Sequence, residues 1–304
     1  MTKVYGVVVT YNRQVLLKVC LESILAQSEL PERIVLVDNA STDGTQAWLD
    51  QSGLMRHPRI DYFRLEQNSG GAGGFAAGMR EAFARGADAV WMMDDDAAPQ
   101  KDALKNLMVI CASDQVIYGS IAVTPQGRLC WPLVTSDGAS FDHSDAVPQE
   151  VSVSALPFLG ILIPRVVWEK IGYPETGYFL AGDDTEYCFR AREAGMGIRA
   201  TGASRILHPP SEYYRFGIGR YAPFCFRMPP WKRYYDVRNR ILTMRRRGLP
   251  HVLTRTLPGT LLRLAGTLIN EPQRLRQSQA YFAGTWDGLA GKLGMRHQRW
   301  HIPR

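Results

Sequence analysis

The chain has 304 residues, 45% hydrophobic and 21% charged, enough to bury a full core as one large domain or one domain with an appendage. Its five cysteines, Cys20, Cys111, Cys130, Cys188 and Cys225, form no CxxC pair and are odd in number, which excludes a disulfide scaffold and points to a reducing cytoplasm. The net charge of +7 divides unevenly: residues 1–215 carry 19 Lys and Arg against 26 Asp and Glu, and residues 216–304 carry 17 against 3.

A basic C-terminal region of that kind faces something anionic, with a lipid surface, a lipid diphosphate or nucleic acid as the candidates, or is simply a solvated tail. The N-terminus shows one short apolar run, with no cleavable signal pattern and nothing of membrane-spanning length.

Residues 4–9 form a β-branched run of buried-strand length, and residues 15–25 return apolar side chains at helical spacing until Leu30-Pro31 breaks the pattern. Residues 33–37 repeat the strand signal, residues 38–44 carry loop and cap chemistry, and residues 44–49 open another helix. A third strand is expected at 60–65, a glycine-rich turn at 70–74 leading into a helix through 79–84, and a fourth strand at 89–93 that ends on carboxylates. Successive β/α units imply a mostly parallel sheet, and ligands of such sheets collect at the strands' C-terminal ends, where Thr10, Asp38, Asn68 and Asp94 fall.

Residues 116–163 are richer in β signals, and Trp131, Trp168 and the segment FLGILIP at 158–164 supply surface for an acceptor. After residue 216 the chain turns to arginine and aromatic residues, then to helical spacing over 257–269 and 281–293. The stretch 261–269 is too short to span a bilayer and carries Arg263, so it reads as an amphipathic helix lying on a membrane or packed on the protein.

Three carboxylates, Asp94-Asp95-Asp96, emerge from the apolar run 89–93. Their mutual repulsion raises their pKa values unless a cation is present, and hard ions such as Mn²⁺ or Mg²⁺ take such oxygen ligands with a diphosphate completing the shell. Gly182-Asp183-Asp184-Thr185-Glu186 opens a helix and brings a second acidic group, one member of which can serve as general base, although Asp183 also reads as a helix cap. His208, at a strand end before Pro209-Pro210, suits a Mn²⁺-type ion and equally a half-buried structural role. The other histidines, His57, His143, His251, His297 and His301, show no ligand spacing and read as surface residues. The glycines from Gly70 and Gly71 onward let backbone approach a diphosphate near a helix start, but they are not a dinucleotide GxGxxG after the first strand.

Together VVVTYNR, VDNASTDGT, NSGGAGGF, WMMDDDAAP, GDDTEYCFRAREAG and the later His208 resemble, in order over about residues 4–210, the inverting GT-A glycosyltransferases of family 2. The motifs look most like bacterial galactofuranosyltransferases, with rhamnosyltransferases close. The resemblance implies an α/β, Rossmann-like GT-A catalytic domain over 1–215; it fades after about residue 210, and the basic helical region over 216–304 is expected, from its charge, to face acceptor or membrane. The resemblance also implies Thr10 and Asp38 at the nucleobase, Asn12 on the nucleotide sugar, Asn68, Gly70 and Gly71 at the ribose and diphosphate, and Asp94, Asp96 and His208 on Mn²⁺ or Mg²⁺. Asp95 would contact the donor, Asp184 would be the base, and Trp131, Asp183 and Glu186 would meet the acceptor. The segment YYDVRNR at 234–240 looks like the family's late Tyr/Arg-rich segment, with Arg238 and Arg240 on phosphate.

The implied reaction is direct displacement with inversion, from UDP-galactofuranose or alternatively dTDP-rhamnose, to a glycan or lipid-linked polysaccharide precursor. Its implied place is the cytoplasm, peripheral on the inner face of the membrane, with no nucleic-acid partner. Two competitors are a nucleotidyltransferase, which lacks its Gly/Arg/Lys-rich loop after the first strand here, and a non-catalytic binder of nucleic acid or anionic membrane through residues 213–235, which leaves the acidic loops unexplained.

Overall fold

The computed structural model describes residues 2–217, Gly219 and 222–304. The β-branched runs become β1 (Val4–Thr10), β2 (Arg33–Asp38), β3 (Ile60–Arg64) and β4 (Ala89–Asp94), with α1 (Gln14–Leu25), α2 (Thr45–Gln51) and α3 (Gly70–Ala84) between them. They continue through β5 (Ala98–Pro99), α4 (Ala103–Ile110), β6 (Val116–Val123), β7 (Arg128–Val134), β8 (Ser140–His143), β9 (Val151–Ser152), β10 (Ile161–Pro164), α5 (Arg165–Ile171), α6 (Asp183–Glu193) and β11 (Gly197–Leu207).

The main sheet runs β3-β2-β1-β4-β10-β6-β11-β5. Strands β1 to β4 pair in parallel, β10 lies antiparallel between β4 and β6, and β11 is parallel to β6. The chain winds outward from β1 through β2 and β3, then crosses back to β4 on the other side. That reversal makes a topological switch point between the C-terminal ends of β1 and β4, where open α/β sheets bind ligands.

Alternate residues of β1 feed two cores, Val7 and Val9 on one face and Val4 and Val8 on the other. A sheet covered on both faces explains why its strands read as unbroken apolar runs.

The glycine-rich segment departs from expectation, because Gly70 through Gly74 form the first turns of α3 and not a turn before it. A methyl at Gly74 would collide with Val9, and one at Gly78 with Val7 and Val37. These glycines let a helix backbone lie close on the parallel strands; only Gly70, with φ of 74°, meets a conformational demand.

The chain divides into two compact units, one running to Glu175 and resuming over Asp184–Pro210, the other formed by Thr176–Asp183 and Ser211–Arg304. The second unit holds the hairpin β12 (Tyr213–Arg215) and β13 (Phe224–Phe226), then α7 (Pro230–Arg245). A short α8 (Leu249–His251) passes through a π-helical stretch (Val252–Thr256) into α9 (Leu257–Asn270), followed by α10 (Arg274–Leu289). Thus α10 begins and ends several residues earlier than the spacing over 281–293 indicates, because Gly284 and Gly288 sit in its packed face rather than at its end.

Arg238 is a correction. It is wholly buried and donates to the carbonyls of Gly177, Tyr178 and Gly294, while Asn239 Nδ2 donates to those of Tyr178, Leu180 and Ala181. Two side chains of α7 therefore hold residues 177–181 within the C-terminal unit, and the wholly buried Arg238 guanidinium is engaged on backbone carbonyls instead of a phosphate. His297 is likewise buried, against the Tyr235 hydroxyl at 2.8 Å, and is not a surface residue.

Close helix-to-sheet packing makes Gly78→Ala an overpacking change. Equilibrium urea unfolding should show a loss of about 1–3 kcal/mol, and an unchanged midpoint would contradict the packing role.

Candidate active site

The two strands that flank the switch point are joined by side chains. Thr10 Oγ1, ending β1, donates to Asp95 Oδ2 at 2.7 Å, and the Tyr11 amide donates to the same oxygen at 3.3 Å. Arg13 Nη1 reaches Asp95 Oδ1 at 3.3 Å and Asp96 Oδ2 at 2.7 Å. Asp95 is thus buried and spent on protein partners, which corrects its expected contact with the donor. Burial, with Asp96 adding to it, raises its carboxyl to about 6 against the lowering effects of Thr10, Arg13 and the Tyr11 amide.

His208 arrives by strand pairing. Leu207 of β11 pairs antiparallel with Ala98 of β5, so the residue after Leu207 meets the segment just before Ala98. His208 Nε2 lies 3.4 Å from Asp96 Oδ1, and Nδ1 is 2.6 Å from the Pro209 carbonyl. Burial lowers the imidazole pKa, but Asp96 outweighs it and the ring is raised to about 10. Asp96 is moved the other way: burial pushes it up, and His208 and Arg13 bring it below its ordinary value. The Trp131 ring stands edge-on to His208 with centroids 5.4 Å apart, so the aromatic residue expected at the acceptor joins this cluster.

Asp96 Oδ1 is buried and has no hydrogen-bond partner. With the ring raised to about 10, His208 and Asp96 form an ion pair in the metal-free protein, and a divalent cation entering beside Asp96 Oδ1 would take Nε2 as a ligand only by displacing its proton. Among the described residues, however, no three His, Cys, Asp or Glu side chains converge as a group able to hold a metal ion. The expected trio of Asp94, Asp96 and His208 is therefore not preassembled: Asp94 closes β4 opposite Val9, and Arg13 already engages the second oxygen of Asp96. A pair of protein ligands with substrate oxygens completing the shell is an ordinary arrangement for such ions.

On the β2 side, Asp38 is fully buried. Its Oδ1 accepts from the Ser41 amide at 2.7 Å, and Oδ2 accepts from the Tyr62 hydroxyl at 2.8 Å and Arg64 Nη1 at 2.9 Å. These bonds shape the loop after β2, and a carboxylate so enclosed does not itself face a nucleobase. Asn12, exposed and at φ of 54°, accepts from the Thr42 amide at 2.6 Å, while its own amide donates to Ser41 Oγ. Asn68 Oδ1 accepts from the Gly70 amide at 2.8 Å, and Asn39 Oδ1 accepts from the Ser69 amide at 2.9 Å. Asn68 and Asn39 thereby fix the start of α3, where Gly71 and the residues after it turn amide groups toward the helix end.

The acidic group on α6 separates into distinct roles. Glu186 is fully buried and accepts from Arg190 Nε at 2.8 Å, while Arg190 also holds the Tyr173 carbonyl at 2.8 Å. That correction removes Glu186 from the acceptor contacts and makes it a fastener of α6. Asp183 is buried at the first position of the helix. Asp184 is half-buried, with Oδ1 accepting from the Thr185 amide at 2.5 Å and its hydroxyl at 3.2 Å. Burial nonetheless raises its carboxyl.

Sequence patterns missed Arg13, Asn39, Tyr62 and Arg64. Arg13 stood in view at the end of VVVTYNR, but the signal that a cation would meet Asp95 and Asp96 lies 82 and 83 residues away.

Residues 6–155 match the family model described as Glycosyl transferase family 2. A galactofuranosyltransferase of Mycobacterium tuberculosis is 31% identical over 269 residues, covering 82% of this chain and 84% of the relative. A dTDP-rhamnosyl transferase of Shigella flexneri is 22% identical over 312 residues, covering 96% and 97%. Among solved structures, a mannosyltransferase from Pyrobaculum calidifontis in complex with GDP-Man and Mn²⁺ shares the fold, with a TM-score of 0.60 at 17% identity over 95% of this chain and 88% of that one.

Because Asp95 is buried and charged, its donors carry weight. Thr10→Val keeps the volume and removes one; chemical denaturation should show a loss of about 1.5–3 kcal/mol, and wild-type stability would contradict the bond across the switch point.

Proposed function

The chain belongs to glycosyltransferase family 2, and from that premise we propose a metal-dependent, inverting transfer of galactofuranose from UDP-galactofuranose to a hydroxyl of a glycan or lipid-linked polysaccharide precursor. The observation that carries this reading is the meeting of Asp96 Oδ1 and His208 Nε2 at the switch point. Its support for the sugar is the 31% identity to the mycobacterial galactofuranosyltransferase.

In this reading Asp96 and His208 hold a Mn²⁺ or Mg²⁺ ion with Asp94 alongside, and the ion supplies the positive charge that stabilises a departing diphosphate. The Mn²⁺ in the complex of the mannosyltransferase supports that choice. The loop built by Asn12 and by Asp38 through Arg64 borders the nucleoside, and the start of α3 at Asn68, Gly70 and Gly71 offers amides to the diphosphate. Thr10 and Asp95 position these parts without touching the donor. Trp131 lines the acceptor side.

Asp184 takes the proton from the acceptor hydroxyl as that oxygen bonds to the anomeric carbon and the bond to diphosphate breaks on the opposite face. The enzyme works where a lipid-linked acceptor is presented, at the cytoplasmic face of a membrane. Among the described residues no helix is long and apolar enough to cross one. The rhamnosyl alternative rests on the Shigella relative, whose match covers 96% of the chain, its C-terminal region included.

Transfer assays with UDP-galactofuranose and dTDP-rhamnose test the donor. Incorporation from the first alone is expected, a preference for the second would establish the rhamnosyl alternative, and incorporation from neither would leave a non-catalytic binder.

The base assignment has its own readout. A general base must be ionised, and Asp184 has a raised pKa, so activity should fall as pH drops through that value, at higher pH than for an ordinary carboxylate. Asp184→Asn should lower kcat by roughly 10²–10⁴-fold with UDP affinity kept, and normal turnover would remove Asp184 from the role.

A further inference from the structure

Helix α10 has two faces of opposite character. Gln277, Ala280, Tyr281, Gly284, Asp287 and Gly288 are buried, and the two glycines let the helix lie close on α7, since a methyl at Gly284 would strike the Tyr234 carbonyl and one at Gly288 would strike Ile241. The opposite face is apolar and open to solvent: Leu275 is 88% exposed, Phe282 63%, Trp286 60% and Leu289 38%. At 100° per residue these four side chains fall within about 60° of one another, in one stripe along the helix. A surface helix normally turns polar residues to water, so a stripe of this size marks an interaction surface.

Charge identifies the occupant. Residues 216–304 contain only three acidic residues, Asp236, Glu271 and Asp287. Each is taken up inside the unit: Asp236 by Arg240 at 2.6 Å, Glu271 by Arg233 at 2.8 Å and Asp287 by Arg296 at 3.0 Å. The exposed charge among the described residues of this region is therefore cationic. Exposed Arg274 and Arg276 flank Leu275 at the head of the stripe, on opposite sides of it, and with Leu275 they line an open depression of about 540 Å³.

An apolar helical face bordered by arginines matches the interface of an anionic bilayer, in which rings and leucines enter the acyl boundary and guanidinium groups stay with the phosphates. A symmetric contact with a second copy would set the same cations against each other.

We propose that the outward face of α10, Leu275, Phe282, Trp286 and Leu289 with Arg274 and Arg276, is a docking surface for an anionic lipid bilayer. The proposal deepens the placement of the enzyme at a membrane and rests on that reading for its purpose, though not for its geometry. Partitioning depends on both halves of the surface: apolar burial holds the helix at the interface, and the cations select anionic lipid and make binding fall with salt.

The test is flotation of the full chain with phosphatidylcholine vesicles and with vesicles containing phosphatidylglycerol. The wild type should float with the anionic vesicles only, and Leu275→Ser/Phe282→Ser/Trp286→Ser should weaken that partitioning at least about tenfold. Because these side chains are exposed, the variant should keep the wild-type thermal midpoint and UDP affinity, which separates failure of docking from failure of the donor site. Arg274→Gln/Arg276→Gln should lose the preference for anionic lipid. Undiminished flotation of the triple variant would overturn the proposal. So would absence of wild-type flotation with the anionic vesicles, and a concentration-dependent dimer in sedimentation velocity that the triple variant abolishes would then assign the face to a second copy.

Discussion

The hydrogen bond from Thr10 to Asp95, 2.7 Å long and buried, spans 85 residues of sequence and joins the two strands on which the site stands. A parallel sheet leaves its strand ends apart at the switch point, where backbone pairing between β1 and β4 has run out. Taking a carboxylate out of water there is costly, and Asp95 answers that cost with the Thr10 hydroxyl, the Tyr11 amide and the Arg13 guanidinium. Its carboxyl nevertheless sits near 6, so the balance between burial and these partners is close.

With Asp95 turned inward, the neighbouring Asp96 has a different fate. One of its oxygens meets Arg13, and the other is left beside His208 without a hydrogen bond. The pairing of β11 with β5 is what delivers the imidazole, and the Trp131 ring and the Cys130 thiol, which donates to the His208 carbonyl at 3.1 Å, frame it. Three consecutive aspartates therefore point in different directions: one closes a strand, one braces the switch point, and one leaves an oxygen beside His208.

Much of the first half of this architecture can be read from sequence because a strand buried on both faces must be a continuous apolar run, and four such runs alternate with helical spacing before Asp94. The clustering of Asp96 with His208 could also be read, through a family pattern rather than spacing. What could not be read depends on partners far along the chain or on close contact. Residues 70–74 look like a turn by composition, yet they open α3, and the small size of Gly74 and Gly78 serves its approach to Val9 and Val7. Asp38 and Glu186 look like ligand-facing carboxylates, and only burial beside Arg64 and Arg190 reveals them as fasteners. Arg190 stands four residues after Glu186, the spacing of a helical ion pair, so that correction had a local signal; Arg64 had none.

The most direct test of the account is calorimetric titration of the protein with UDP in Mn²⁺ and in EDTA, on the wild type and on Asp96→Ala. Mn²⁺ should strengthen UDP binding to the wild type, and Asp96→Ala should lose this gain while retaining the weak metal-free binding. Equal UDP affinity in Mn²⁺ and EDTA for the wild type, or a metal effect that survives Asp96→Ala, would contradict the claim that the paired Asp96 and His208 form the cation site of the donor diphosphate.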